Sequence, residues 1–318
     1  MTRTDDPTRR PFRFSLQAVE AASGAEWIAL ARRAEDAGFD LLVTADHLGG
    51  AMGPLVPLAA AAEATATLRV GTLVLNNDFH HPLLLARDVA SLDVLSGGRV
   101  EVGLGAGHAE PEYGSAGIPF DPPGRRVARL EEAVVLLRRL FDGEAVTHHG
   151  RHYRLSEARC HPRPVQDHVP LLVGGGGDRV LSVAARHADS VGFTGLGRTL
   201  EDGQRHEASG FPAARVDEQV AATREAAGDR WGQLELQVLV QGVVITDDPR
   251  AAAARIRSRL SNLEIDEIIT TPYLMIGEVP ELVDRLCSDR ERWGFSHYTV
   301  RADALDAFAP VVKELAGR

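Results

Sequence analysis

Short apolar runs alternate with helical stretches along nearly the whole chain, and this cadence limits the folds open to it. The runs fall at 12–17, 41–44, 69–75, 99–105, 171–173, 190–194, 234–246 and 297–301. Helical patterns occupy 24–37, 54–67, 82–95, 124–141, 178–187, 213–227, 251–263, 279–293 and 304–316, with a small hairpin at 146–155. Strands read as apolar on both faces and separated by helices predict a parallel sheet wrapped on both sides. Eight such strands favour a (β/α)8 TIM barrel over an open doubly wound sheet, and 318 residues suit a single barrel domain spanning 1–318. Helix punctuation agrees. Ser23 with Glu26 reads as a capping box, Gly38 as a C-cap, and Pro82 opens a helix that Gly97 and Gly98 stop.

In such a barrel the chemistry belongs on the rim formed by the C-terminal ends of the strands, where insertions also gather. The candidate insertions are 108–124, 143–170 and 195–212. Polar or glycine residues stand at successive strand ends: Asp46-His47, Asn76-Asn77-Asp78, Gly107-His108, then Gly174, Gly175, Gly176 and Gly177, and finally Thr194-Gly195. His47 can exchange a proton near neutral pH, although an Asp-His pair serves equally as a buried structural hydrogen bond.

Two glycine patterns point to a ligand. Gly103, Gly105 and Gly107 are spaced by two along one strand, which keeps its backbone open to something flat, or alternatively marks a barrel bend. The four glycines at 174–177, followed by Asp178 and Arg179, make a strand-to-helix turn whose amides suit an anion. No GK[ST] follows, and the spacing is not a dinucleotide fingerprint. The pairs His80-His81 and His148-His149 are read as loop packing and a hairpin tip, because adjacent strand residues face opposite ways. No metal site is expected.

Composition removes other classes. A net charge of −10 argues against an extended nucleic-acid footprint. Cys160 and Cys287 fit no metal spacing and suit a reducing cytosol. The start MTRTDDPTRRP lacks a signal-peptide core, and no run is long and apolar enough to span a membrane. A cytoplasmic enzyme acting on a small molecule is the expectation.

With these elements placed, the chain resembles the bacterial luciferase-like superfamily of flavin and deazaflavin (coenzyme F420) enzymes. The matching stretches are AEDAGFDLLVTADH at 34–47, RVGTLVLNNDFHHPLLLARDVASLDVLSGGRVEVGLGAG at 69–107, PLLVGGGGDRVLSVAARHAD at 170–189 and FAPVVKELAGR at 308–318. The GAG…EY…GIPFDPPGRRVARLEE pattern resembles the subgroup assigned as F420-dependent oxidoreductases.

The resemblance implies a ring bound in the barrel mouth against strands two to four. It implies a cis Leu73–Val74 peptide beneath that ring, Ala106 and Gly107 along it, and Asn76 among the cofactor contacts. Gly174, Gly175, Gly176, Gly177 and Arg179 would hold the phosphate. Asp46 and His47 align with the family's Asp-His pair. His108 stands where sugar-phosphate dehydrogenases of the family carry a catalytic Glu, and the loop 48–53 is short, small and uncharged. With Lys313 the sole lysine, a sugar phosphate is disfavoured, and the open mouth suits a bulky or extended substrate.

The implied reaction is hydride transfer between C5 of F420 and a substrate carbon, in the direction of reducing an activated C=C or C=N bond. His47 or His108 would handle the proton, with Glu112 and Tyr113 shaping the pocket. The alternatives are an FMNH2-dependent monooxygenase on the same barrel and a non-catalytic flavin- or ligand-binding barrel. The resemblance also implies a homodimer through helices 54–67 and 83–95. Arg163, Arg179, Arg125, Arg126 and Arg129 are candidates for the anionic tail of the cofactor.

Overall fold

The structure is a computed structural model, and it describes residues 10–197, 199, 206–258, 260 and 262–318. The opening segment 1–9 and part of the expected 195–212 insertion (198 and 200–205) lie outside the described residues, as do 259 and 261.

In chain order, β1 is Arg13–Gln17, α1 Gly24–Asp36, β2 Leu41–Thr44, α2 Leu55–Ala64, β3 Arg69–Thr72, β4 Leu75–Asn76, α3 Pro82–Ser96 and β5 Val100–Gly105. Next come α4 Glu110–Ala116, α5 Pro123–Phe141, β6 Val146–His149, β7 Arg154–Ala158, β8 Leu171–Gly175, α6 Asp178–His187, β9 Ser190–Phe193 and α7 Ala213–Ala227. The chain continues with β10 Glu235–Leu239, β11 Gly242–Ile245, α8 Pro249–Arg257, α9 Ile265–Thr270, β12 Leu274–Gly277, α10 Val279–Trp293, β13 Phe295–Arg301 and α11 Leu305–Leu315.

The order β3-β2-β1-β13-β10-β9-β8-β5-β4 closes through a β3–β5 pairing, and every pair in it is parallel. Because β3 and β4 are halves of one broken strand, the ring has eight staves. It is the expected (β/α)8 barrel. The break falls at Leu73–Val74, whose peptide bond is cis.

Alternation along the staves sorts their side chains. Phe14, Leu16, Val100, Val102, Leu104, Val191, Val238 and Val300 are buried among the surrounding apolar residues of the outer layer. The inward set is mixed, contrary to the expectation of strands greasy on both faces: Leu41, Val43, Leu73 and Leu239 cluster there, but much of it is polar. Arg13, Ser15, Gln17, Glu235, Gln237, His297 and Thr299 come from three adjacent staves. At the N-terminal end of the barrel, Arg13 donates to both Glu235 carboxylate oxygens at 3.1 and 3.0 Å and to Glu101 Oε1 at 2.6 Å. His297 Nδ1 lies 3.0 Å from Glu235 Oε2. Burial alone would raise the Glu101 and Glu235 carboxyls, but the Arg13 charge, joined by Arg69 at Glu101 and His297 at Glu235, holds both below the usual range. This charged floor seals one end of the barrel and leaves the other free for a ligand.

The expected strand 234–246 divides in two. Val240 N still donates to Thr299 O of the barrel at 2.8 Å, whereas Gln241 N donates to Tyr273 O at 2.7 Å. That change of partner sends β11 into a separate two-stranded parallel sheet with β12. The helix expected at 251–263 is shorter, with Asp248 Oδ1 accepting from Ala251 N at 2.9 Å to begin it. Residues 265–277, given no element in the sequence reading, form α9 and β12. The hairpin of the 143–170 insertion follows α5 rather than a stave. It is pinned to that helix by Glu132, which accepts from the Tyr153 amide at 2.9 Å. No helix among the described residues is long and apolar enough to cross a membrane.

Candidate active site

The C-terminal ends of the staves surround a cleft of about 690 Å³. Its floor includes Leu73, Val74 and Ala106, and one side is the glycine turn from Gly174 to Gly177 leading into α6. Gln17 donates from Nε2 to the Leu73 carbonyl at 2.6 Å, so a stave-one side chain fixes the bulge in the floor.

His47 lies at the end of β2, half-exposed, with Nδ1 2.9 Å from Glu112 Oε1 on α4. His108 packs edge-on between His47 and His206, with ring centroids 5.5 and 4.5 Å away. Burial first, then the His206, His47 and Arg126 charges, push His108 down to about 4. It is therefore neutral at pH 7. The residue borders the cleft, and its Nδ1 is buried without a hydrogen-bond partner. His206 was not anticipated, since its insertion carries no recognisable pattern.

Asp46, expected beside His47 in the chemistry, is turned away from it. Its carboxylate accepts from the Asn76 amide at 3.1 Å and contacts His80 Nε2 at 2.8 Å, so it holds the restart of the broken stave. Asn76 borders the cleft and accepts from Tyr113 OH at 3.0 Å through Oδ1. Tyr113 itself is fully buried below the rim, where burial and Asp78 keep its hydroxyl protonated; it supports the pocket without lining it.

The strand glycines are required by protein atoms more than by a ligand. A Cβ on Gly103 would lie 2.2 Å from the Thr72 carbonyl oxygen, and one on Gly105 2.7 Å from Val74 Cγ2. At Gly107 the backbone has φ +74°, and a Cβ would sit 1.9 Å from Tyr113 OH. Gly177, by contrast, would meet nothing within 4 Å, leaving the mouth of the α6 turn open.

The arginines divide differently from the expectation. Arg126 stacks on Phe120 at 4.0 Å, and Arg129 pairs with Asp121 as well as with Asp78 at 2.8 Å, so both are spent securing the 108–122 segment. Arg163 donates to the Asp142 carbonyl at 3.2 Å just beyond the C-terminus of α5, at the barrel end opposite the cleft. Arg179 is exposed against Gly124, outside the lining of the cleft, and Arg125 is exposed on the next turn of chain. His80 and His81 pack as expected, the latter edge-on to Tyr153 at 5.8 Å. Arg301, at the end of the last stave, and Gln237, within β10, also line the cleft, although neither had been singled out.

The luciferase-like monooxygenase family matches residues 10–270. The chain belongs to that family. This luciferase-like chain is 30% identical to the F420-dependent glucose-6-phosphate dehydrogenase of Intrasporangium calvum, across 86% of this chain and 87% of that one. Its fold matches the coenzyme F420-dependent tetrahydromethanopterin reductase of Methanopyrus kandleri with a TM-score of 0.74, at 17% identity and covering 96% and 99% of the two chains. An F420-dependent secondary alcohol dehydrogenase, solved with an F420-acetone adduct, matches at TM-score 0.72 and 20% identity over 96% and 98%.

Proposed function

We propose that this protein is an F420-dependent oxidoreductase that reduces an activated C=C or C=N bond of a small organic substrate. The observation that carries the reading is the His47–Glu112 pair, set beside a neutral, unsatisfied His108 above the floor formed by Leu73, Val74 and Ala106. The kinship with F420-dependent dehydrogenases supports it.

The residues present fit the cofactor. An apolar floor suits a ring, the His108 imidazole borders the same cleft, and the open turn at Gly177 suits a phosphate at the start of α6. Exposed Arg125 and Arg179 near that turn suit the anionic tail. When bound, reduced F420 supplies a hydride, that is, two electrons with one hydrogen, so the protein must provide the balancing proton. Glu112 holds His47 through Nδ1 and fixes the orientation of its ring, leaving Nε2 as the nitrogen for the substrate. Neutral His108 binds without adding a competing positive charge.

A sugar phosphate is not the substrate in this reading. Lys313 stands exposed on α11, and the loop 48–53 leaves an open groove beside His47, His108 and Glu112. Apolar Val56, Leu84, Val94 and Leu95 are exposed on α2 and α3, and they suit a homodimer through those helices. Fluorescence quenching with F420 and FMN side by side tests the cofactor. Tight F420 and weak FMN binding is expected; preference for FMN would move the case to oxygen chemistry.

A further inference from the structure

The cleft is not the only large cavity at this end of the barrel. A second chamber of about 680 Å³ lies between β11, β12, α8 and the start of α11. It shares Leu196, His206 and Arg301 with the cleft, so the two spaces adjoin. Phe211, Val240, Val243, Val244, Ile256 and Leu274 make its walls largely apolar. The chamber exists because the chain leaves the barrel after β10 and builds the β11–β12 sheet beside it.

Arg301 stands at the junction. Its guanidinium donates to Gln17 Oε1 at 2.9 Å and to Gln241 Oε1 at 3.0 Å. Both acceptors are neutral amides, and among the described residues no carboxylate forms an ion pair with it. Asp303 borders the chamber but does not bridge to Arg301. Burial pulls the Arg301 pKa down, while the Asp303 carboxylate pulls it the other way. Two amide oxygens orient the guanidinium, and no carboxylate among the described residues bonds to it, an arrangement that favours a carboxylate ligand. Arg255, exposed on the chamber's rim, adds positive charge.

We propose that the substrate is a mostly apolar carboxylic acid whose carboxylate stands between a long apolar arm and a reducible bond, with the carboxylate on Arg301, the arm in the side chamber and the bond in the cleft. This inference rests on the oxidoreductase reading for the fate of the substrate, but its binding geometry can be measured without the cofactor.

The test is isothermal titration of the full chain with octanoate, octanol and butyrate, alongside F420 quenching. Octanoate is expected to bind at least about tenfold more tightly than either octanol or butyrate, the first margin from the charged hydrogen bonds and the second from apolar burial. Arg301→Gln should bring octanoate to the level of octanol, and Arg301→Lys should restore part of the difference. Val244→Trp, which fills the chamber far from the floor of the cleft, should weaken octanoate while leaving butyrate and F420 binding unchanged. Equal affinity for octanoate and octanol, no gain from chain length, or octanoate binding indifferent to Arg301→Gln or to Val244→Trp overturns the proposal. F420 binding with any of those results sinks this inference alone, whereas octanoate selectivity without F420 binding sinks the cofactor reading and leaves the acid site standing.

Discussion

A single carboxylate decides what His47 can do. Glu112 fixes one ring nitrogen at 2.9 Å, which orients the imidazole and leaves the other nitrogen toward the cleft as the one free to exchange a proton. Glu112→Gln should therefore lower kcat by ~10-fold to ~100-fold while F420 affinity stays unchanged, measured by steady-state kinetics and quenching on the same preparation. Unchanged kcat would remove the pair from the proton path. His108 carries a prediction of its own. Its folded value near 4 lies below the ordinary 6.5, so the unfolded chain binds the extra proton first as pH drops. Its contribution to stability is complete above about 6.5 and is lost as pH falls toward 4. The His108 ring signals in an NMR titration should hold their neutral positions down to about pH 5. A midpoint at the ordinary value would contradict the burial argument. Gly107→Ala combines φ +74° with a clash on the Tyr113 hydroxyl, and it should cost about 1–3 kcal/mol by urea denaturation.

Between elements, the charged floor ties β1, β3, β5, β10 and β13 together. Glu235→Gln leaves Arg13 and His297 short of their buried counterion and should destabilise the fold by about 3–5 kcal/mol. The check is the urea midpoint. Both floor carboxyls are held low, so their stabilisation is present above the unfolded carboxylate range and disappears as pH falls through their folded values. Element-level reading of the sequence succeeded where one signal dominated. The alternation of strands and helices gave the barrel, Ser23 with Glu26 marked a true helix start, and 178–187 and 279–293 were helices to the residue. It failed at 234–246, where an unbroken apolar run conceals a change of hydrogen-bond partner at Val240 and Gln241. Periodicity cannot register which neighbour a strand chooses. The candidate site was legible in part for a related reason. His47, His108 and the 174–177 turn sit at stave ends, a place the cadence identifies. That Asp46 faces His80, Tyr113 lies beneath the rim and Arg126 stacks on Phe120 depends on side-chain direction, which spacing does not encode.

At the scale of the whole molecule, the exposed apolar residues on α2 and α3 make the quaternary state testable. Light scattering should give a dimer, and Val56→Asp together with Leu84→Asp should give a folded monomer. A monomeric wild type would end that reading. The barrel also places its two kinds of demand at opposite ends. The ion network that ties the staves together comes from residues early in each stave, while the cleft and the side chamber draw on stave tips and on the segments that leave them. A lineage built on this plan can exchange whole loops, lengthen 48–53 or reshape the β11–β12 annex, and so change its diet without renegotiating the foundation that lets it fold.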